Sequence, residues 1–182
     1  MTKRTSVRKI AMLNTFAQFL CYNSRQRKPD MAQLTARERK ALLDTARKIL
    51  TYKLMQSSGY GRLVKKAMDE RTRQILAEIG ANELSEAESW SQKIAQLADG
   101  DSQSGKASFL NQKVGLMMGV LGTRGFFEWT IIAEDEAVEG LAIQAANIGD
   151  LVASEEWTRI ASDERLHIER MKKEVLGMEG WE

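Results

Sequence analysis

The stretch Ala161-Ser-Asp-Glu-Arg-Leu-His-Ile-Glu-Arg170 holds the one histidine of this 182-residue chain, His167, three residues after Glu164. On a helix, a Glu-x-x-His step puts a carboxylate and an imidazole one turn apart on one face. Carboxylate-bridged four-helix bundles build metal sites in their cores from that step. The surroundings of His167 therefore decide whether the chain carries chemistry or is only a helical bundle.

Outward from this stretch, five helices can be read. β-branched runs of period two are missing, and there is one proline, so the fold class is all-α. The first helix covers roughly residues 6–23. The second starts at Thr35, where Thr35-x-x-Glu38 makes a capping box, and runs to about Met68. Asp69 is the N-cap expected for the third, which continues to about Leu97. After the polar loop 99–105 the fourth covers about 109–147 and ends before Gly149. The fifth starts after Ser154, with Glu155 and Glu156 at its positive end, and stops at Gly177.

The last four helices each carry a stripe at alternating three- and four-residue spacing. On the third it reads Leu76, Ile79, Glu83, Glu86, Trp90 and Leu97. On the fourth it reads Phe127, Ile131, Glu134, Val138, Leu141, Ala145 and Ile148. On the fifth it reads Trp157, Ile160, Glu164, His167, Met171 and Val175. The second is less clean: Ala46, Leu50, Lys53, Ser57, Tyr60, Val64 and Ala67. Glu83, Glu86, Glu134, Glu164 and His167 thus stand where packing would place Leu or Ile. A buried unpaired carboxylate costs several kcal/mol, so several together require cations or shared protons.

An internal repeat sets the register of these positions. Glu164 follows Glu134 by 30 residues and His167 follows it by 33; Glu83 and Glu86 follow Lys53 by the same two intervals. The two helix pairs align without a gap at an offset of 81, with Ile79 on Ile160 and Leu76 on Trp157.

On these residues the chain resembles the ferritin-like superfamily, and within it the rubrerythrin-type domains, including those linked to vacuolar iron transporters. Their pattern is a Glu followed by Glu-x-x-His, twice over, on four helices. The resemblance covers about residues 40–176. Its second half matches fully through Glu134, Glu164 and His167. The stretch Ala81-Asn-Glu-Leu-Ser-Glu-Ala-Glu-Ser-Trp90 is the counterpart in the first half, with two departures. Glu86 stands where the family has histidine, and Lys53 where it has its first glutamate. The resemblance implies a ferritin-like antiparallel four-helix bundle (35–182) preceded by a basic N-terminal helical extension (1–34).

By the same resemblance the chain is a non-haem iron or iron/manganese carboxylate protein of oxidoreductase type. It would handle Fe(II), O2 or peroxide with one or two ions. Glu134, Glu164, His167 and Glu83 would be metal ligands and Glu86 a variant ligand. Lys53 would be a built-in counter-ion, with Gln56 and Tyr60 beside the site. The alternative is a degenerate bundle that has lost metal chemistry, in which Lys53 neutralises the old site by ion pairing. Lys53 could also carry its ammonium out to solvent along its aliphatic stem. Trp90 and Trp157 read as core packing. Gly115, Gly119 and Gly122 read as a small-residue face for close helix approach.

Composition narrows the rest. One cysteine, Cys21, excludes an internal disulfide and a cysteine-rich zinc site, and favours a reducing, cytoplasmic setting. No stretch reaches the about 20 apolar residues of a membrane span. Residues 10–22 read as an amphipathic helix rather than a targeting signal, because Asn14, Thr15 and Gln18 interrupt the apolar run. Residues 1–53 carry thirteen Lys/Arg against three acids, and the remainder fourteen against twenty-two. That asymmetry fits a solvated basic face, or an acidic partner or membrane surface for the N-terminal part. Nucleic-acid binding would rest on that region alone. A homodimer is expected by analogy with the family.

Overall fold

Thr35 forms the capping box that its spacing to Glu38 predicts. The Glu38 amide donates to Thr35 Oγ1 at 3.2 Å, and the Thr35 amide donates to Glu38 Oε2 at 2.7 Å. The computed structural model describes residues 34–67, 69–98 and 107–176. The chain divides into two units, Met1–Asp30 and Met31–Glu182, and every described residue belongs to the second. The expected helix over 6–23 and the loop 99–105 lie outside the described residues.

Among the described residues the chain is all-α, with four helices and no strand: α1 Ala36–Val64, α2 Glu70–Leu97, α3 Ala107–Ala146 and α4 Leu151–Leu176. Asp69 caps α2 as expected, accepting from the Thr72 amide at 2.8 Å. The start of α4 differs from the sequence reading. Asp150, not Ser154, is the capping side chain, accepting from the Ala153 amide at 2.8 Å. Ser154 instead donates its hydroxyl to the Ala145 carbonyl at the end of α3, at 2.9 Å. Its oxygen is spent closing the α3–α4 turn, and the helix gains a turn at its N-terminus.

α1 packs on α2 and α3, and α4 packs on α3. The pairings run in opposite senses. Ser57 bonds Gly80 while Lys53 reaches Glu83. Glu38 accepts from the Gly149 amide while Lys53 reaches Glu134. Ser154 bonds Ala145 while Lys172 reaches Asp135. Contacts between α2 and α4 close the ring (Trp90 to Glu164, His167 to Glu83). The result is an antiparallel four-helix bundle in which α1 faces α4 across the diagonal.

The apolar core follows the stripes. Leu76, Trp90 and Leu97 on α2, Phe127, Ile131, Val138, Leu141 and Ala145 on α3, and Trp157, Ile160 and Met171 on α4 are all buried. On α1 the buried line is Leu42, Ala46, Ile49, Lys53, Gln56 and Tyr60, shifted from the expected one, so that Leu50 and Val64 pack only at its margin. Gly59 lets α1 approach α3 closely: a Cβ there would lie 2.7 Å from the Phe126 ring and 3.0 Å from the Phe127 ring. Tyr60 stacks on Phe127 with ring centres 4.5 Å apart.

The small-residue face expected along 115, 119 and 122 does not form. Gly122 has φ 72° and ψ 172° and breaks α3 in two; glycine adopts that conformation without the Cβ clash that opposes it elsewhere. Gly119 faces no neighbouring atom within 4 Å, and Gly115 receives the guanidinium of Arg62 rather than a helix backbone. Lys113 and Trp129 line one groove, although an unbroken helix would hold residues sixteen apart about 24 Å from each other. The chain therefore bends sharply at Gly122, and the segment before it lies against α1.

Candidate functional site: a lysine at the centre of three carboxylates

Each helix contributes one charged residue at the same level of the bundle: Lys53 from α1, Glu83 from α2, Glu134 from α3 and Glu164 from α4. Their relative exposures are 0, 1, 0 and 6 %. The stripes direct all four side chains inward, and the repeat's offset of 81 places them in register.

The Lys53 ammonium occupies the centre. Its Nζ lies 2.6 Å from Glu164 Oε1, 2.9 Å from Glu134 Oε1 and 3.5 Å from Glu83 Oε2. The two shorter contacts are within the range of charge-assisted hydrogen bonds, and the third is a longer ion pair. The remaining oxygen of each carboxylate has a separate donor. Gln56 Nε2 donates to Glu134 Oε2 at 2.7 Å, Trp90 Nε1 to Glu164 Oε2 at 3.0 Å, and His167 Nε2 to Glu83 Oε1 at 3.0 Å. Every carboxylate thus bridges the central lysine and one outer donor. His167, with 21 % of its side chain exposed, is the member of the network nearest to solvent.

The electrostatics follow from this arrangement. Burial opposes the charge on Lys53, but Glu164, Glu134 and Glu83 together hold its ammonium well above the ordinary lysine range. Burial pushes the Glu134 carboxyl up to about 7, against the pull of Lys53. Burial acts on Glu164 in the same sense, yet the nearer Lys53, the imidazole and the Trp90 N–H bring it below the usual carboxylate range. Burial disfavours a charged His167, but its hydrogen bond to Glu83 together with the charges of Glu83 and Glu164 outweighs that, so its pKa is raised. The Lys53 ammonium therefore faces Glu83, Glu164 and a Glu134 carboxyl pushed up to about 7, with the His167 imidazole on the far oxygen of Glu83. The centre draws its counter-charge from its own side chains. That balance is what makes four buried ionisable groups tolerable, because each unpaired ion would cost several kcal/mol.

The structure brings together Lys53, Gln56, Glu83, Glu134, Glu164 and His167 from the sequence-derived set. It leaves Glu86 out: that side chain is half-buried and makes no hydrogen bond or ion pair with any described residue. Its charge acts on Lys93. Glu86 sits one turn beyond Glu83 on α2 and makes no ion pair with Lys53. Tyr60 belongs to the aromatic layer on Phe127, two turns along α1. Lys53 does not carry its ammonium out to solvent. His167 meets Glu83 rather than Glu164, its neighbour one turn away. Trp90, read from the sequence as core packing, is also a hydrogen-bond donor to the centre; its place one helical turn on from Glu86, on the stripe, was the available signal.

A metal ion at this centre requires the space that Lys53 Nζ fills. Among the described residues no group of three or more His, Cys, Asp and Glu side chains is arranged to hold one. The donor types suit a hard or borderline cation, but with the ammonium between them the carboxylates do not fit around a second cation. No protein-family model, no curated protein and no solved structure matches this chain.

Proposed function

We propose that the chain is a ferritin-like four-helix bundle whose carboxylate centre is closed by its own lysine, and that it works as a structural and interaction module rather than as an iron oxidoreductase. The observation that carries this reading is the position of Lys53 Nζ, within 3.5 Å of one oxygen from each of three buried glutamates. An ammonium there supplies the positive charge that the family draws from metal ions. It does so through a covalently tethered group that cannot dissociate. The outer donors Gln56, Trp90 and His167 complete the shell and leave no carboxylate oxygen of the centre facing only apolar groups.

A second reading rests on a separate observation. Glu83, Glu134 and Glu164 each turn one oxygen toward Lys53 Nζ, and His167 lies behind Glu83; a single iron or manganese ion would need Lys53 to withdraw and these side chains to rearrange around it. Loading the purified protein with Fe(II) or Mn(II) and measuring bound metal and oxygen consumption separates the two. The lysine-closed centre gives no stoichiometric metal and no oxidation, in the native chain and in His167→Ala alike. The metal reading gives bound metal and turnover that the His167→Ala change removes. Among the described residues no helix is long and apolar enough to cross a membrane.

A further inference from the structure

Between α1 and the bent α3 lies an open groove of about 380 Å³, lined by Arg47, Lys48, Thr51, Tyr52, Met55, Lys113 and Trp129. It is separate from the lysine-centred network. Three of its seven lining residues are cations and none is an acid. Arg47 has an acidic neighbour, Asp44, only at 4.0 Å and exposed. Lys48 and Lys113 have no hydrogen-bond or ion-pair partner among the described residues. This differs from Lys172, which is held between Asp135 and Glu169.

The floor of the groove is of another kind. Met55 is fully buried. Tyr52 and Trp129 meet edge to face, with ring centres 5.9 Å apart and planes at 77°. Trp129 remains 39 % exposed. An indole left this open and braced by a second ring offers accessible aromatic surface beside the three cations. Thr51 spends its hydroxyl proton on the Arg47 carbonyl at 2.8 Å, so the polar recognition falls to the three cations. The volume lies in the range of small-molecule sites, roughly 300–1,000 Å³.

We infer that this groove is a binding site for a small aromatic anion of the nucleoside-phosphate class. The aromatic ring packs on Trp129 with Tyr52 as a side wall, and the phosphate lies among Arg47, Lys48 and Lys113. Arg47 offers a planar fork suited to phosphate oxygens, and the two lysines add mobile point charges. A simple anion would use the cations and ignore the rings; an apolar ligand would use the rings and meet uncompensated charge. Only a ligand with both parts uses the whole groove. The bend at Gly122 creates the site, since it brings Lys113 to the mouth that Trp129 lines.

The test is calorimetric titration of the full chain with adenosine 5′-monophosphate, adenosine and inorganic phosphate separately. The monophosphate is expected to bind and to quench tryptophan emission, with each fragment about tenfold or more weaker. Lys48→Glu combined with Lys113→Glu should weaken the monophosphate by at least about tenfold. Trp129→Leu should remove the quenching and the preference over phosphate. All three positions are exposed or partly so, and unchanged helical circular dichroism will show that the variants fold. No binding of the monophosphate at millimolar concentration overturns the inference. So does phosphate binding as tightly as the monophosphate, which would mark a general anion patch. Affinity unchanged in the charge-reversed variant would overturn it as well.

Discussion

Lys53 Nζ lies 2.6 Å from Glu164 Oε1, across the diagonal of the bundle from α1 to α4, with both side chains buried. Helices on a diagonal are the least able to touch through ordinary apolar side chains. Here the longest aliphatic stem in the core spans that gap and ends in a charge that the other two helices also neutralise. The ion-pair network therefore ties all four helices at one level.

Removing the lysine leaves three carboxylates buried without their counter-ion. Lys53→Ala should lower the stability by about 3–5 kcal/mol, the cost of breaking one side of a buried ion pair. The loss should shrink as the pH is lowered and the carboxylates take up protons. Urea denaturation at pH 7 and pH 5 checks both. A variant as stable as the native chain at pH 7 would mean that Lys53 does not carry the charge balance.

Each outer donor should matter on its own, though less than the lysine. Trp90→Phe keeps the ring's bulk and removes the N–H on Glu164, and Gln56→Leu removes the amide on Glu134. Each leaves a buried carboxylate oxygen without its hydrogen bond, at a cost of about 1–3 kcal/mol. Gln56→Leu should also move the Glu134 carboxyl further above its value of about 7, visible as a protonated carboxyl stretch persisting to higher pH in infrared difference spectra. An unchanged titration would separate Gln56 from the centre.

The pH dependence of stability has a defined sign. Glu134 holds its proton up to about 7 in the folded chain, against an ordinary value of 4.5. Across that window the folded state binds more protons than the unfolded one, so stability falls as pH rises. His167 is raised above its ordinary 6.5; its contribution is complete below 6.5 and is lost as pH rises through the folded value. Both effects run the same way. The unfolding midpoint should fall as the pH is raised from about 5 to 8. His167→Gln should remove the part of the fall above 6.5 and leave the Glu134 part. Superimposable profiles for the two proteins would contradict the His167–Glu83 pairing.

Much of this was legible in the sequence. The 30- and 33-residue intervals set Lys53, Glu83, Glu134 and Glu164 in one register, and helical periodicity turned them inward. The caps at Thr35 and Asp69 followed from side-chain chemistry that is local in sequence. What periodicity could not supply was partner choice. A stripe says that His167 and Glu86 face the core side of their helices, but not that His167 meets Glu83 while Glu86 stays half-buried and without a partner among the described residues. The start of α4 was misplaced because Asp150 and Ser154 are both good capping residues, and only the packing of Ser154 on Ala145 decides between them. The bend in α3 was missed because glycines spaced along an apolar run look the same whether they permit close packing or a break.

Glycine replacements separate those two roles. Gly122→Ala should cost about 1–2 kcal/mol, since its positive φ disfavours a Cβ, and Gly59→Ala about 1–3 kcal/mol through collision with two packed rings. Gly119→Ala, with open space around it, should stabilise by about 0.5–1 kcal/mol through helix propensity. Thermal unfolding of the three single variants checks the order. Equal effects at Gly119 and Gly122 would place the break elsewhere.

The most direct measurement is the metal content of the native chain and of Lys53→Glu after equilibrium dialysis against Fe(II) or Mn(II) under anaerobic conditions. If Lys53 holds the cation position, the native chain retains no stoichiometric metal, while Lys53→Glu, with its lysine exchanged for a fourth carboxylate, binds metal and is stabilised by it. Tight binding of one or two ions by the native chain, abolished by His167→Ala, would contradict the lysine-closed centre.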